Sequence, residues 1–551
     1  MKTSLWSAVR LVVAVALVAP MGVSCGSDDD AGQGLLVSAF GPPPEQFPDL
    51  DPFLNCDLVN VCHQESGDDE RRSCVMVRFE EREAAVSALA FDTPTAISME
   101  CFQEIVDPTS GARNRVPVSN GQSCGVRRAK SQKDLSTTSV YMLPDWRFGP
   151  TVSFGSAATS KPSIPGRWGA VAQPQTFDGQ VFLAGGAAAK NDCAAWSTPA
   201  CVTTVSDSVE LFDPTTGTFT LLGGDDRKNL SVPRAFAASV VLPTGEIAVF
   251  GGLSPSGSSV EPTTSVDIWD PVFQEFAAGT PMTKARAYHS ATLISNEAGG
   301  TVLLAGGIGS GSTTWEVWTR SAVVKSGEMS AARWNHSATL ISPAIDPSIA
   351  SAIVVLAGGD TGTETNRSIS TSMDVFDVPF LTMNPNPLLL CGEGKPKTMH
   401  TAVYVPSRHF LYIGGGFKDI GHSEPVADVC VWQATQKVWA GSLSLKSARG
   451  ALTGTPIVGT NFVLFAGGLT KRAGVLEAAQ TVDILLEYKN EKNELVIDIG
   501  PFDYPVPMLY PRWGHSALNS CDGKTLFVGG VSGPAKASSA ENRSELFNPG
   551  S

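Results

Sequence analysis

Seven short apolar runs along this chain each end in paired glycines: VFLAGG, IAVFGG, VLLAGG, VVLAGG, LYIGGG, VLFAGG and LFVGG. The second glycine of each pair is read as Gly186, Gly252, Gly307, Gly359, Gly415, Gly468 and Gly530, at intervals of 52 to 66 residues. A buried strand that stops where side chains are excluded explains any one run, because glycine permits positive φ and close approach of a neighbouring backbone. Seven at near-constant spacing mean a repeat architecture, in which each unit buries its apolar face only against its neighbours.

Other features keep step with the glycines. An arginine opens the strand before most pairs, at Arg167, Arg234, Arg286, Arg333, Arg449 and Arg512; the fifth unit reads KTMHTAVYV instead. His289, His336, His400 and His515 share one repeat position, so four of the seven histidines belong to the framework. Asp178-Gly179, Thr244-Gly245 and Asp522-Gly523 are hairpin signals between the two strands. After a variable polar loop, a third strand pairs an acid with an aromatic, the acids being Glu210, Asp267, Glu316, Asp374, Asp483 and Glu545. A fourth strand often begins with another aromatic, as at Phe219, Phe276 and Trp439.

This order of arginine strand, double glycine, acid-x-aromatic and aromatic resembles the kelch motif over residues 136–551. The resemblance implies an all-β fold: a seven-bladed kelch-type β-propeller of four-stranded antiparallel blades, in the superfamily that includes galactose oxidase. The last unit stops at SELFNPGS, one strand short. Ser139–Phe148, with Trp146, is the N-terminal stretch expected to complete it and remove an exposed edge.

Ahead of the repeats, Lys2, Arg10 and the apolar run LVVAVALV form a signal-like segment, too short to span a bilayer comfortably. It closes on MGVSC, which resembles the bacterial lipobox and makes Cys25 the expected lipidated residue. The division that follows is a signal peptide at 1–24, lipidated cysteine and flexible tether at 25–50, a small cysteine-rich β module at 51–135, and the propeller at 136–551. Without Cys25, ten cysteines remain, which suits disulfides in an oxidising compartment. Cys193 and Cys201 are a candidate pair within one loop, and an N-terminal cysteine is expected to reach Cys391, Cys430 or Cys521.

A net charge of -14 and the lack of any basic stripe argue against nucleic acid. The loops 187–205, 253–263, 308–313, 360–370, 417–426, 469–479 and 531–541 follow the glycines, differ from one another and share one face. The arginines open near that face, where six matching acids point to structural pairing. No catalytic residue, metal site or cofactor is assigned. A copper site like that of galactose oxidase would need tyrosine, histidine and a neighbouring cysteine, and no such set can be assembled outside the repeat. The expectation is a monomeric exported lipoprotein of a bacterial envelope, at the outer membrane or cell surface, touching the membrane only through its lipid. Its loop face would bind a protein or glycan as a scaffold, the alternative being a sugar oxidase or epimerase on the same fold.

Overall fold

The computed structural model describes residues 167–176, 178–189, 202–223, 226–362, 366–458, 460–489, 495–500, 507–533, 539–540 and 543–549, with strand segments between 11 and 151. Those residues are almost entirely β. Seven sheets follow one plan, each with four strands in antiparallel order 1-2-3-4. In the fourth these are Ser337–Ile341, Ile353–Ala357, Ser372–Asp377 and Thr382–Met383, with Leu388–Leu389 added beside the third strand. Five of the seven second strands are fully buried (VFLA, IAVF and VLFA are examples) and the other two in all but their first residue, which is why these runs read as continuously apolar rather than alternating.

The first strands neighbour one another in a closed cycle, the seventh meeting the first, so the sheets are the blades of a β-propeller. A core cluster fills each of the seven interfaces between blades. Between blades 1 and 2, for example, Phe182 and Leu211 meet Ile247, Val249 and Trp269. Full burial of side chains of this size contributes about 1.5–3 kcal/mol apiece.

The paired glycines are the joints of this ring. The N–H of each second glycine donates to the carbonyl of the first residue of the next blade's entry segment: Gly186 to Arg234, Gly252 to Arg286, and finally Gly530 back to Arg167. A Cβ on the first glycine would meet that same carbonyl, at 2.3 Å in the case of Gly306 and the Arg333 oxygen. Glycine is therefore required by the neighbouring blade and not by its own strand. The fifth unit needs a correction. Gly415 occupies the first position, with φ 65°, and Gly416, with φ 100°, is the second and donates to Arg449. The run of three glycines hid this offset of one.

Blade 7 takes its outer strand from Arg147–Pro150, which pairs antiparallel with Glu545–Asn548. The expected stretch began earlier, but Ser136–Tyr141 runs parallel to Leu35–Phe40 in a separate three-stranded sheet. Ahead of the propeller, a five-stranded sheet includes Leu58–Glu65, Arg72–Arg78, Thr95–Val106 and Arg113–Gln122. The disulfide Cys56–Cys101 ties it. A second disulfide joins Cys391 to Cys430, so neither of these reaches the N-terminal cysteines. Cys62 and Cys521 are also disulfide-bonded. Cys25, Cys193 and Cys201 lie outside the described residues. No helix among the described residues is long and apolar enough to cross a membrane.

Candidate functional site

The arginines and acids of the repeat sit inside the blades. Arg167 Nε lies 2.7 Å from Glu210, Arg234 Nη2 2.8 Å from Asp267, and Arg286 Nε 3.3 Å from Glu316. Arg333 Nη2 lies 2.8 Å from Asp374, Arg512 Nη2 3.1 Å from Glu545, and Arg449 pairs with Asp483. Every one of these side chains is buried. Each guanidinium also donates to the carbonyl of its own blade's first glycine, such as Gly185, Gly306 or Gly358. Burial lowers the pKa of Arg167 and Arg333, and the paired carboxylate opposes that shift. These cations brace the strands and do not face a ligand.

Blade 5 replaces both partners together. Lys397 stands in the arginine's place and bonds Gly415 O, while Cys430 faces Ile413 where the other blades place the acid. Asp428, two residues earlier, supplies the counter-charge 3.2 Å from Lys397 Nζ.

Three of the four repeat histidines are equally committed. His336, His400 and His515 each place Nε2 2.9 Å from a hydroxyl of the preceding blade, on Ser290, Ser337 and Thr453. Burial, with a nearby Arg286, pushes the pKa of His289 down to about 3. Burial, with Lys397 and Arg333 close by, does the same to His400. His336 and His515 fall well below the ordinary value for the same reasons. They are neutral in the fold, whereas the unfolded chain titrates near ~6.5. The unfolded state therefore binds more protons below that pH, and stability must fall as pH drops through the window down to about 3. The slope should reach up to ~1.4 kcal/mol per pH unit per histidine. Urea unfolding at pH 7.5, 6 and 5 checks this: His336→Gln should flatten the slope by about one proton, and a level profile would sink the argument.

What breaks the repeat is more informative. The residue after each entry arginine or lysine forms a bridge with the residue after the glycine pair in all seven blades. On the glycine side these are Ala187, Leu253, Ile308, Phe417, Leu469 and Val531, but Asp360 in blade 4. One ionisable group thus occupies a position that is otherwise apolar, and it is fully buried.

Asp360 is held by four side chains from two blades. Asn335 Nδ2 (3.0 Å) and Thr398 Oγ1 (2.8 Å) donate to Oδ2. Arg367 Nη2 (2.8 Å) donates to Oδ1, and His422 Nε2 lies 2.9 Å from the same oxygen. Because an ionised carboxylate only accepts, His422 is the donor in that bond. Burial alone would raise the Asp360 pKa, but the bond and charge of His422, with Asn335 and Arg367, outweigh it and hold the carboxyl below its usual value. His422 is presented by the tight loop 418–424, where Asp419 accepts bonds from the Ser423 and Glu424 amides. Arg367 lies 5.7 Å above the Trp334 ring.

This constellation sits at the mouth of the propeller axis. One residue further along each entry segment, Gly169, Phe236, Tyr288, Asn335, Met399, Ala451 and Gly514 are joined in that order by six successive N–H···O=C bonds of 2.7–3.3 Å from blade to blade. All of them have positive φ, between 49° and 68°, and all are half-buried. Phe236 and Tyr288 stack with centroids 4.3 Å apart. The mouth thus has an aromatic side and, next to it, a polar side made by Asn335 and Arg367. Arg367, Asp360 and His422 fall within two of the loops singled out from the sequence, 360–370 and 417–426, but no residue there had been assigned a role. The readable signal was GGD against GGA, GGL, GGI, GGF and GGV at the other pairs.

No protein-family model and no curated protein matches this sequence. Among solved structures the chain is similar to a fungal alcohol oxidase of the AA5 family, described in complex with copper. The two share 16% sequence identity with a TM-score of 0.48, over 73% of this chain and 76% of that one. The expectation of a binding scaffold is corrected here. The loop face carries a buried ionic constellation that a plain scaffold does not require, so the enzymatic alternative is the one carried forward.

Proposed function

We propose that this chain is an exported, lipid-anchored enzyme acting on carbohydrate, built on a kelch-type propeller, with its substrate seated at the loop-face mouth of the axis. The observation that carries this reading is Asp360, the single ionised residue among seven equivalent positions, held by side chains of two blades. A buried carboxylate is costly unless fully hydrogen-bonded, and a purely structural joint has no use for one where six apolar residues serve. A pyranose presents a C–H face and a rim of hydroxyls. The Phe236–Tyr288 pair suits the former, and Asn335 and Arg367 suit the latter.

Asp360 is a positioning residue in this scheme. It fixes Asn335 and Arg367, and it sets His422 as the donor at Nε2. Asp360→Asn keeps the shape but removes the charge and turns a donor toward Arg367 or His422. Turnover of a sugar panel by the full chain should fall at least ~100-fold in kcat/KM, which is about 2.7 kcal/mol of transition-state stabilisation. Equal rates in wild type and variant, or no carbohydrate turned over by either, would reject the proposal.

A further inference from the structure

A copper centre of the galactose-oxidase kind needs tyrosine, histidine and cysteine together, and the described residues around this mouth do not bring such a set together. His422 gives Nε2 to Asp360, and His336, His400 and His515 bond hydroxyls of the preceding blades, while His289 is buried with neither ring nitrogen hydrogen-bonded among the described residues. Tyr288 is the ring's tyrosine, and its hydroxyl is buried without a hydrogen-bond partner among the described residues. Cys391, Cys430 and Cys521 are disulfide-bonded. No group of three or more histidine, cysteine, aspartate or glutamate side chains placed to hold a metal ion occurs among the described residues. The residues present do not fit copper.

We infer, resting on the reading above, that this mouth works without resident copper and that its fixed positive charge is the Arg367 guanidinium. Asp360 anchors Arg367 at 2.8 Å and Trp334 supports it from below. Its guanidinium bonds Asp360 through Nη2 and its Nε is buried, so Nη1 is the nitrogen left for substrate oxygens. A guanidinium is always charged, planar and directional, which lets it hold a hydroxyl or a developing oxyanion as a metal would, without accepting electrons. The charge serves a reaction that needs no oxidant, because a guanidinium neither gains nor gives electrons.

The test uses the full chain, loaded with cupric ion, dialysed, and examined by metal analysis, electron paramagnetic resonance and thermal unfolding. Wild type, Tyr288→Phe and His422→Gln should retain equal copper and show the same resonance. Copper should shift the midpoint of none of them. About one equivalent kept by wild type and lost by either variant, with a higher midpoint when loaded, would overturn the inference. Tyr288→Phe removes a single unbonded hydroxyl, so it stays interpretable even if His422→Gln disturbs the fold. Arg367→Lys, which keeps the charge and loses the planar fork, should weaken sugar binding at least tenfold; unchanged binding would also overturn it. If no sugar binds to any form while copper retention is unchanged, the enzymatic reading fails and the metal-free mouth stands.

Discussion

Deleting residues 26–151 should destabilise the propeller sharply and make it aggregate, whereas deleting 26–146 should leave the ring intact. The two truncations share every loss except the strand Arg147–Pro150 and Thr151. That strand is the outer edge of blade 7, in register with Glu545–Asn548. Thr151 and Ser544 add a buried hydroxyl pair at 3.0 Å. At about 0.5–1.5 kcal/mol net per main-chain bond, losing this short ladder removes several kcal/mol. It also exposes an unpaired edge, a template for intermolecular pairing. Thermal midpoint and soluble yield of the two forms decide the matter, and indistinguishable behaviour would mean that the strand does not hold the ring shut.

Arg333→Ala should be among the most damaging single substitutions in the molecule, at about 3–5 kcal/mol, because it strands the Asp374 carboxylate in a dry interior. Both side chains are fully buried. Removing the partner as well, in Arg333→Met with Asp374→Leu, should restore part of the loss. Recovery stays incomplete because the guanidinium also satisfies the carbonyls of Gly358 and Ser372. Unfolding free energies in urea for the single and double variants form the cycle. A double variant no better than Arg333→Ala would show that the carbonyl contacts, and not the stranded charge, dominate.

Blade 5 shows why a repeat must be read through its departures. Its arginine became Lys397, its acid became Cys430, and its glycine run shifted the apparent register from Gly416 to Gly415. Each looks like decay of the pattern in one dimension. In three dimensions they are compensated: Asp428 answers the lysine, and Cys430 meets Cys391 from the crossover that leads into the blade. Asp360 is the opposite case. It breaks the pattern with no compensating change at the partner position of its own bridge, Trp334. Its partners come from Asn335, Arg367, Thr398 and His422, spread over 87 residues of sequence.

By itself the sequence determined the architecture. Buried second strands, glycine pairs and arginine–acid positions repeat because each blade meets its neighbours through the same geometry, and a local requirement repeated seven times leaves a periodic trace. Tertiary structure alone decided the site. A carboxylate is stabilised by whatever donors surround it in space, and a ring fold brings those donors from different blades to one axis with no fixed spacing between them. The closing strand divides between the two: the truncated last unit called for a strand from the N-terminal side, but its bounds, Arg147–Pro150, and the pairing of Phe148 with Phe547 follow from where the ring's two ends meet.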